Sequence, residues 1–257
     1  MVRLVLKRLK DDPLHLWLQG DVHIGNEEYH EEEYLEYRHW FEPGEKPWVK
    51  KKYTIWMGDM FEWSIPIHLP QAMRMQNIRT QDQWEFLEHK IKQEKPLLFL
   101  AGNHEYRLIR HGYGYDPFEK LCAQYKIPYS RKDMFMNIVW NKKWHTWYLN
   151  HGYGSSYYPD SAFKSLAARG VLNNVDFAAM GHTHHNWIGG RLQFNINKKE
   201  VTTKYQHWIR TGSFLTNPEY TKTLRPELIG NVIVTFDSTK KGPIISQTLD
   251  QWENQYG

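Results

Sequence analysis

The sequence predicts an α/β fold, and three observations carry that expectation. Compact apolar strands recur, and each ends in a polar turn: Tyr53-Thr54-Ile55-Trp56-Met57 runs into Gly58-Asp59, Pro96-Leu97-Leu98-Phe99-Leu100 into Gly102-Asn103-His104-Glu105, and Val175-Asp176-Phe177-Ala178-Ala179-Met180 into Gly181-His182-Thr183-His184. Helical spacing lies between strands, as in Gln71 to Gln93, where Trp84, Leu87 and Ile91 form a core-facing stripe. Polar turns at the carboxyl ends of strands are where open α/β sheets place their ligands.

Composition narrows the class. A chain of 257 residues, 40% of them hydrophobic, with no run of eighteen apolar residues, is expected to be soluble and globular, a single domain over 1–257 with no membrane partner. Met1-Val2-Arg3-Leu4 leads into alternating Leu/Val and Lys/Arg rather than a signal peptide, so the expected compartment is the cytoplasm, or the host cytoplasm for a phage-encoded chain. The net charge of +4 suits an anionic substrate but falls short of the basic excess of a protein that binds DNA by charge alone. Cys122 is the only cysteine, which excludes an internal disulfide and leaves it the role of a small buried hydrophobe. The sequence leaves the oligomeric state open.

From the amino terminus, Arg3 to Leu9 and His15 to Leu18 read as strands joined by a turn at Asp11-Asp12-Pro13, and the second ends in Gly20-Asp21-Val22-His23. Glu27 to Trp40 reads as a helix with an acidic solvated face, broken by Pro43-Gly44 and Pro47, and Lys50-Lys51-Lys52 reads as a solvated edge. Pro117 to Tyr125 reads as a helix and His145 to Asn150 as a strand. Asp160 to Arg169 reads as a helix with Asp160-Ser161 at its start and Gly170 at its end. Trp187 to Gln247, with turns at Asn195-Ile196-Asn197 and Lys240-Lys241-Gly242, is expected to pair into a second sheet.

His182 and His184, and likewise Asp21 and His23, stand two residues apart at strand ends and are candidate metal ligands, because imidazole and carboxylate suit borderline divalent ions. Alone, each pair is a weak signal, since His-x-His is more often a surface feature and an Asp turn an Asx contact. His-Gly-Tyr-Gly occurs twice, at His111 and His151. Only His151 follows a strand, so it is the candidate ligand, and His111 is expected in a loop near the mouth of a cleft.

Together, Gly20-Asp21-Val22-His23, Gly58-Asp59, Gly102-Asn103-His104-Glu105, His151-Gly152 and Gly181-His182-Thr183-His184 stand in the order and rough spacing of the calcineurin-like metallophosphoesterase superfamily, which the chain resembles from about Gly20 to His184. Thr211-Gly212-Ser213-Phe214 is similar to the later glycine-serine strand of small phage-type and prokaryotic members. The resemblance implies a four-layer αββα sandwich, two mixed β-sheets flanked by helices, with the site at the strand ends. It implies a first divalent metal ion on Asp21, His23 and His184 and a second on Asn103, His151 and His182, bridged by Asp59. It also implies phosphate-ester hydrolysis by a hydroxide formed between the two ions, with His104 protonating the leaving group or steadying the transition state. Mixed oxygen and nitrogen ligands accept Mn, Fe, Zn, Ni or Co, with Mn²⁺ favoured.

Departures from the family pattern bear on the substrate. Met60-Phe61-Glu62-Trp63 follows Asp59 where phosphoprotein phosphatases carry Asp and Arg-Gly, so their phosphate-clamping arginine is missing, and what supports the ligands at Glu62 is left in question. Arg107 and Arg110 are candidates to replace that arginine, with surface charge as the alternative. Tyr153, Tyr157 and Tyr158, just past His151, are candidates to stack on nucleobases, although aromatics in a sandwich more often fill the core. Arg107 and Tyr157 are therefore the expected substrate contacts. The expected function is a phosphodiesterase or nuclease acting on nucleic acid or a nucleotide. A small-molecule phosphomonoesterase is the alternative, and a catalytically inactive metal-binding scaffold, which should come with broken ligands, is a third reading.

Overall fold

The computed structural model describes residues 2–5, 13–42, 51–64, 76–113, 115–154, 158–196, 201–216 and 228–256. Tyr157, residues 6–9, Asp11-Asp12, Pro43-Gly44, Pro47, Lys50, residues 71–75 and Asn197 lie outside them. Two sheets carry the architecture. The strands are β1 (Val2–Val5), β2 (Leu14–Gln19), β3 (Lys52–Trp56), β4 (Phe99–Leu100), β5 (Tyr129–Ser130), β6 (Asp133–Trp140), β7 (Lys143–Asn150), β8 (Phe177–Met180), β9 (Asn186–Ile196), β10 (Val201–Ser213), β11 (Gly230–Asn231), β12 (Ile233–Phe236) and β13 (Ile244–Ser246). One sheet has seven strands in the order β1-β6-β7-β8-β10-β11, with β9 paired to β10, and the other has six in the order β13-β12-β2-β3-β4-β5. Both mix parallel and antiparallel pairs.

Strand periodicity explains how the sheets stack. On β2, Leu14, Leu16 and Leu18 point into a central cluster with Ile55, Met57, Leu98 and Leu100, facing Met136, Ile138, Trp147, Leu149, Phe177, Ala179 and Ile209 of the seven-stranded sheet. Trp17, on the opposite face of β2, joins Trp56 and Phe99 against the helices α1 (Glu31–Phe41), α2 (Thr80–Glu94), α4 (Pro117–Gln124) and α6 (Leu249–Tyr256). A third cluster packs Tyr148, Ala178, Met180 and Trp208 on α5 (Ser161–Ala168). The layers are therefore helix, sheet, sheet, helix, the expected sandwich. Strands β2, β8 and β12 are buried along their whole length because each face meets a different layer, and β8 is accordingly a continuous apolar run.

Four expectations change. The first two strands do not pair with each other: β1 lies parallel to β6 in one sheet and β2 beside β3 in the other. The segment after Trp187 does not form a sheet of its own, because β9, β10 and β11 extend the sheet of β8 while β12 and β13 join β2. The strand before Gly102 is only Phe99–Leu100. β6 had no counterpart among the expected elements, although Met134, Met136, Ile138 and Trp140 alternate inward along it. It turns into β7 through Asn141 and Lys142, whose φ values of 48° and 63° make the two-residue left-handed turn that matches strand twist. Cys122 is buried, as expected.

Candidate metal centre

The turns after β2, β3, β4, β7 and β8 converge. Ligand atoms of Asp21, His23 and His184 lie within 4.8 Å of one another, as do those of Asp59, His151 and His182, and those of His23, Glu62 and His104. Asn103 Oδ1 stands 3.1 Å from His151 Nε2 and 2.7 Å from His182 Nδ1, and Asp59 Oδ2 stands 3.2 Å from His151 Nε2. His184 Nε2 is 3.5 Å from Asp21 Oδ1. All seven residues expected to hold metal therefore meet at one end of the sandwich. His182 and His184 fall in different clusters.

Alternation along a strand is not what aims these side chains. Asp21, His23, Asp59, His182 and His184 have φ between 49° and 69°, in the left-handed region. Each such residue costs roughly 1–2 kcal/mol for an L side chain, least for Asp, Asn and His. Five strained residues in one cluster mark a site over which folding spends stability to set directions. Glycines in the same blocks make room: a Cβ on Gly102 would collide with Asp59 Oδ1, and one on Gly181 with Asp21 Oδ2.

Hydrogen bonds fix the frame. His151 Nδ1 lies 2.9 Å from the Met57 carbonyl, which leaves Nε2 facing Asp59 and Asn103. His182 N–H donates to both Asp21 oxygens, and His104 N–H to Asp59 Oδ1. Glu105 accepts from the main-chain N–H groups of Asp59, Met60 and Gly102 and from Trp63 Nε1. The late block Thr211–Phe214 grips Asp21, since Ser213 Oγ and Phe214 N–H donate to its carbonyl. Asn231 joins the strand ends by donating to the carbonyls of Gly20 and Thr211 and accepting from Gly20 N–H. Buried Arg210 donates to the carbonyls of Pro159 and Gly181.

Sequence reasoning passed over Glu105, Asn231 and Arg210. Glu105 stood in a visible block, whereas Asn231 and Arg210 meet their partners only through folding. Glu62 does support His23: its Oε2 is 3.1 Å from His23 Nδ1. His104 lies at the start of a short helix, α3 (Asn103–Leu108), with Nε2 3.9 Å from Asp59 Oδ2 and Nδ1 2.5 Å from the Glu62 carbonyl. Arg107 Nη1 is 3.2 Å from that Nδ1. Arg110 is exposed. His111 is not in a loop but in a π-helical turn, Ile109–Tyr113, that continues α3. Tyr153 and Tyr158 are 48% and 68% exposed, which separates them from the core aromatics. Tyr157, an expected substrate contact, lies outside the described residues.

Electrostatics shows how the buried charges of the cluster are balanced. Burial pushes Asp21 up to about 6, against the pull of His151. Burial also opposes charge on Asp59 and His151, yet their mutual attraction prevails, holding Asp59 well below the carboxylate range and carrying His151 up to about 10. Burial takes His104 down to about 4 despite Asp59, and His184 well below its ordinary value. Against burial, Glu62 likewise raises His23, so protein alone balances its buried carboxylates with protons on His151 and His23, an arrangement that a cation replaces readily. His23 fits that role most clearly, because its Nδ1 faces Glu62 while its buried Nε2 has no hydrogen-bond partner among the described residues. A carboxylate behind a ligating imidazole is the usual support of a metal-bound histidine. The donor set fits divalent cations.

A four-layer sandwich whose strand ends gather buried Asp and His side chains into adjoining clusters has the architecture of a metal-dependent hydrolase. Residues 14–186 match the calcineurin-like phosphoesterase family model, and the chain belongs to that family of phosphoester hydrolases. Among solved structures, a metallophosphoesterase from Sphaerobacter thermophilus is 13% identical with a TM-score of 0.46, covering 94% of this chain and 93% of its own. A conserved uncharacterized protein from Streptococcus pneumoniae TIGR4, described as a predicted phosphoesterase, is 12% identical with a TM-score of 0.37, covering 88% and 84%. No curated protein matches. No helix among the described residues is long and apolar enough to cross a membrane.

Proposed function

We propose that the chain is a phosphodiesterase or nuclease that hydrolyses nucleic acid or nucleotide esters with two divalent cations, Mn²⁺ favoured. Asp21, His23 and His184 would hold one cation and Asn103, His151 and His182 the other, with Asp59 between them. Two such cations supply Lewis acidity and water of lowered pKa for displacement at phosphorus. The chain's own groups do the rest. As the imidazolium, His104 hands its Nε2 proton to the leaving oxygen and is left with hydrogen on Nδ1 alone, where the Glu62 carbonyl at 2.5 Å holds the ring in place. Arg107, beside His104, binds a non-bridging phosphoryl oxygen.

The preference for a diester rests on the cations near His104. A dianionic monoester calls for more than one guanidinium clamp. Arg107 stands beside His104, whereas Arg210 is buried with Nε and Nη1 committed to main-chain carbonyls. Exposed Tyr153 and Tyr158, just past His151, support a base-bearing substrate, since aromatic faces stack on any nucleobase. The test is hydrolysis by chelator-stripped protein after Mn²⁺ is restored, with bis-p-nitrophenyl phosphate and p-nitrophenyl phosphate in parallel. Faster cleavage of the diester is expected, and faster cleavage of the monoester would overturn the preference. Full metal content with neither ester cleaved would make the chain a scaffold.

A further inference from the structure

We propose that Glu62 is a positioning residue that sets two imidazoles at once, His23 through its carboxylate and His104 through its main-chain carbonyl. The proposal deepens the two-cation reading and rests on it for the task given to His23. The carboxylate is itself held in place. Oε2 lies 3.1 Å from His23 Nδ1 and accepts from Asn26 Nδ2 at 2.9 Å, while Oε1 accepts from Ser64 Oγ at 3.2 Å. The Glu62 carbonyl lies 2.5 Å from His104 Nδ1. The two rings meet edge to face with centroids 4.5 Å apart.

A carbonyl oxygen only accepts, and a carboxylate so placed accepts here as well. Each Nδ1 therefore carries the hydrogen, and each Nε2 keeps its lone pair for the site. Arg107 Nη1, 3.2 Å from His104 Nδ1, would favour the opposite tautomer, but a lone pair on Nδ1 would then face the carbonyl at the shorter distance. The contact to the carbonyl decides between them. Because the nearest contact to His104 uses the main chain, substitution at Glu62 keeps that carbonyl in place and falls chiefly on His23, while His104, whose Nδ1 stands 3.6 Å from Glu62 Oε1, loses only the more distant carboxylate.

Two measurements test this. Ring ¹⁵N spectra of metal-free protein, made alkaline until the shifts stop changing and assigned with His23→Asn and His104→Ala, are expected to show Nδ1–H at both rings. An Nε2–H tautomer at either ring overturns the proposal. Calorimetric titration of Glu62→Gln with Mn²⁺ is expected to show one cation weakened by about 10–100-fold and the other unchanged, with the His104 ring signals retained. Glu62→Asp, which restores the charge but is one methylene short, should fall in between. Wild-type affinity at both sites in Glu62→Gln, or equal loss at both, overturns the role. Failure of the wild-type chain to take up two cations would sink the two-cation reading instead, and the tautomers would still judge Glu62.

Discussion

Glu105 Oε2 accepts the main-chain N–H of Asp59 at 2.8 Å and that of Gly102 at the same distance, so one buried carboxylate ties the turn after β3 to the turn after β4. Its other oxygen takes Met60 N–H at 3.1 Å and Trp63 Nε1 at 3.3 Å. Burial and the nearby Asp59 charge push Glu105 up to about 7, and these donors pull it back down. Glu105→Ala strands four buried donors, each worth about 1–3 kcal/mol. Relaxation makes such losses less than additive, and a total of about 3–5 kcal/mol is expected in denaturant unfolding of metal-free protein. A loss under about 1 kcal/mol would show that the turns hold without the carboxylate.

Asp59 stands in the cluster of His151, with Oδ2 3.2 Å from His151 Nε2, and its charge also acts on His23 and His184 of the other. Asp59→Asn keeps the shape and removes the shared charge. Both cations are expected to weaken together, by about 100-fold or more, since losing a ligand exceeds the 10–100-fold typical of a supporting partner. Elemental analysis after dialysis reads this directly. One full site beside one empty site would mean that Asp59 serves a single cation.

His104 touches Asp59 and Glu62 but belongs to neither ligand cluster proposed above. His104→Ala is expected to keep both cations and lose about 10²–10⁴-fold in kcat, the usual worth of a positioned proton donor. The loss should shrink on substrates with strongly acidic leaving groups, which leave without a proton. An undiminished rate on a natural diester would remove His104 from the mechanism.

Much of the site was legible because strand, glycine and polar residue are contiguous in the chain. Such a block shows its own chemistry, and five of them in order point to one family even though no single block does. What the blocks do not show is how they are held. Asn231 bonds Gly20 across 211 positions, and Arg210 reaches Pro159 across 51, so only the fold brings them together. The sheet assignment of β9 to β13 was hidden for the same reason: periodicity says which face of a strand is apolar, not which neighbour covers it. The directions of these side chains come from left-handed backbone at Asp21, His23, Asp59, His182 and His184, which strand alternation does not anticipate.

Away from the metal centre, His15 makes the fold sensitive to acid. It is 2% exposed, with Nδ1 2.9 Å from Thr235 Oγ1 and 3.1 Å from Trp252 Nε1, and its ring packs edge-on against Trp252 and Tyr256. An indole N–H only donates, so His15 Nδ1 is the acceptor and Nε2 carries the hydrogen. Protonation would set an N–H against the indole N–H. Burial pulls His15 down to about 4, with Asp237 working upward and Lys52 downward. The folded value is thus below the unfolded value of about 6.5. Between the two, the unfolded chain binds the extra proton, so stability is complete above pH of about 6.5 and falls as pH drops toward about 4, by at most about 3 kcal/mol. His15→Asn offers an acceptor near the same place and does not titrate. The stability difference between wild type and His15→Asn, followed by urea unfolding with chelator present, should shift against the wild type across that window. A difference that stays constant from pH 7 to 4 would show that His15 is not the group that senses acid.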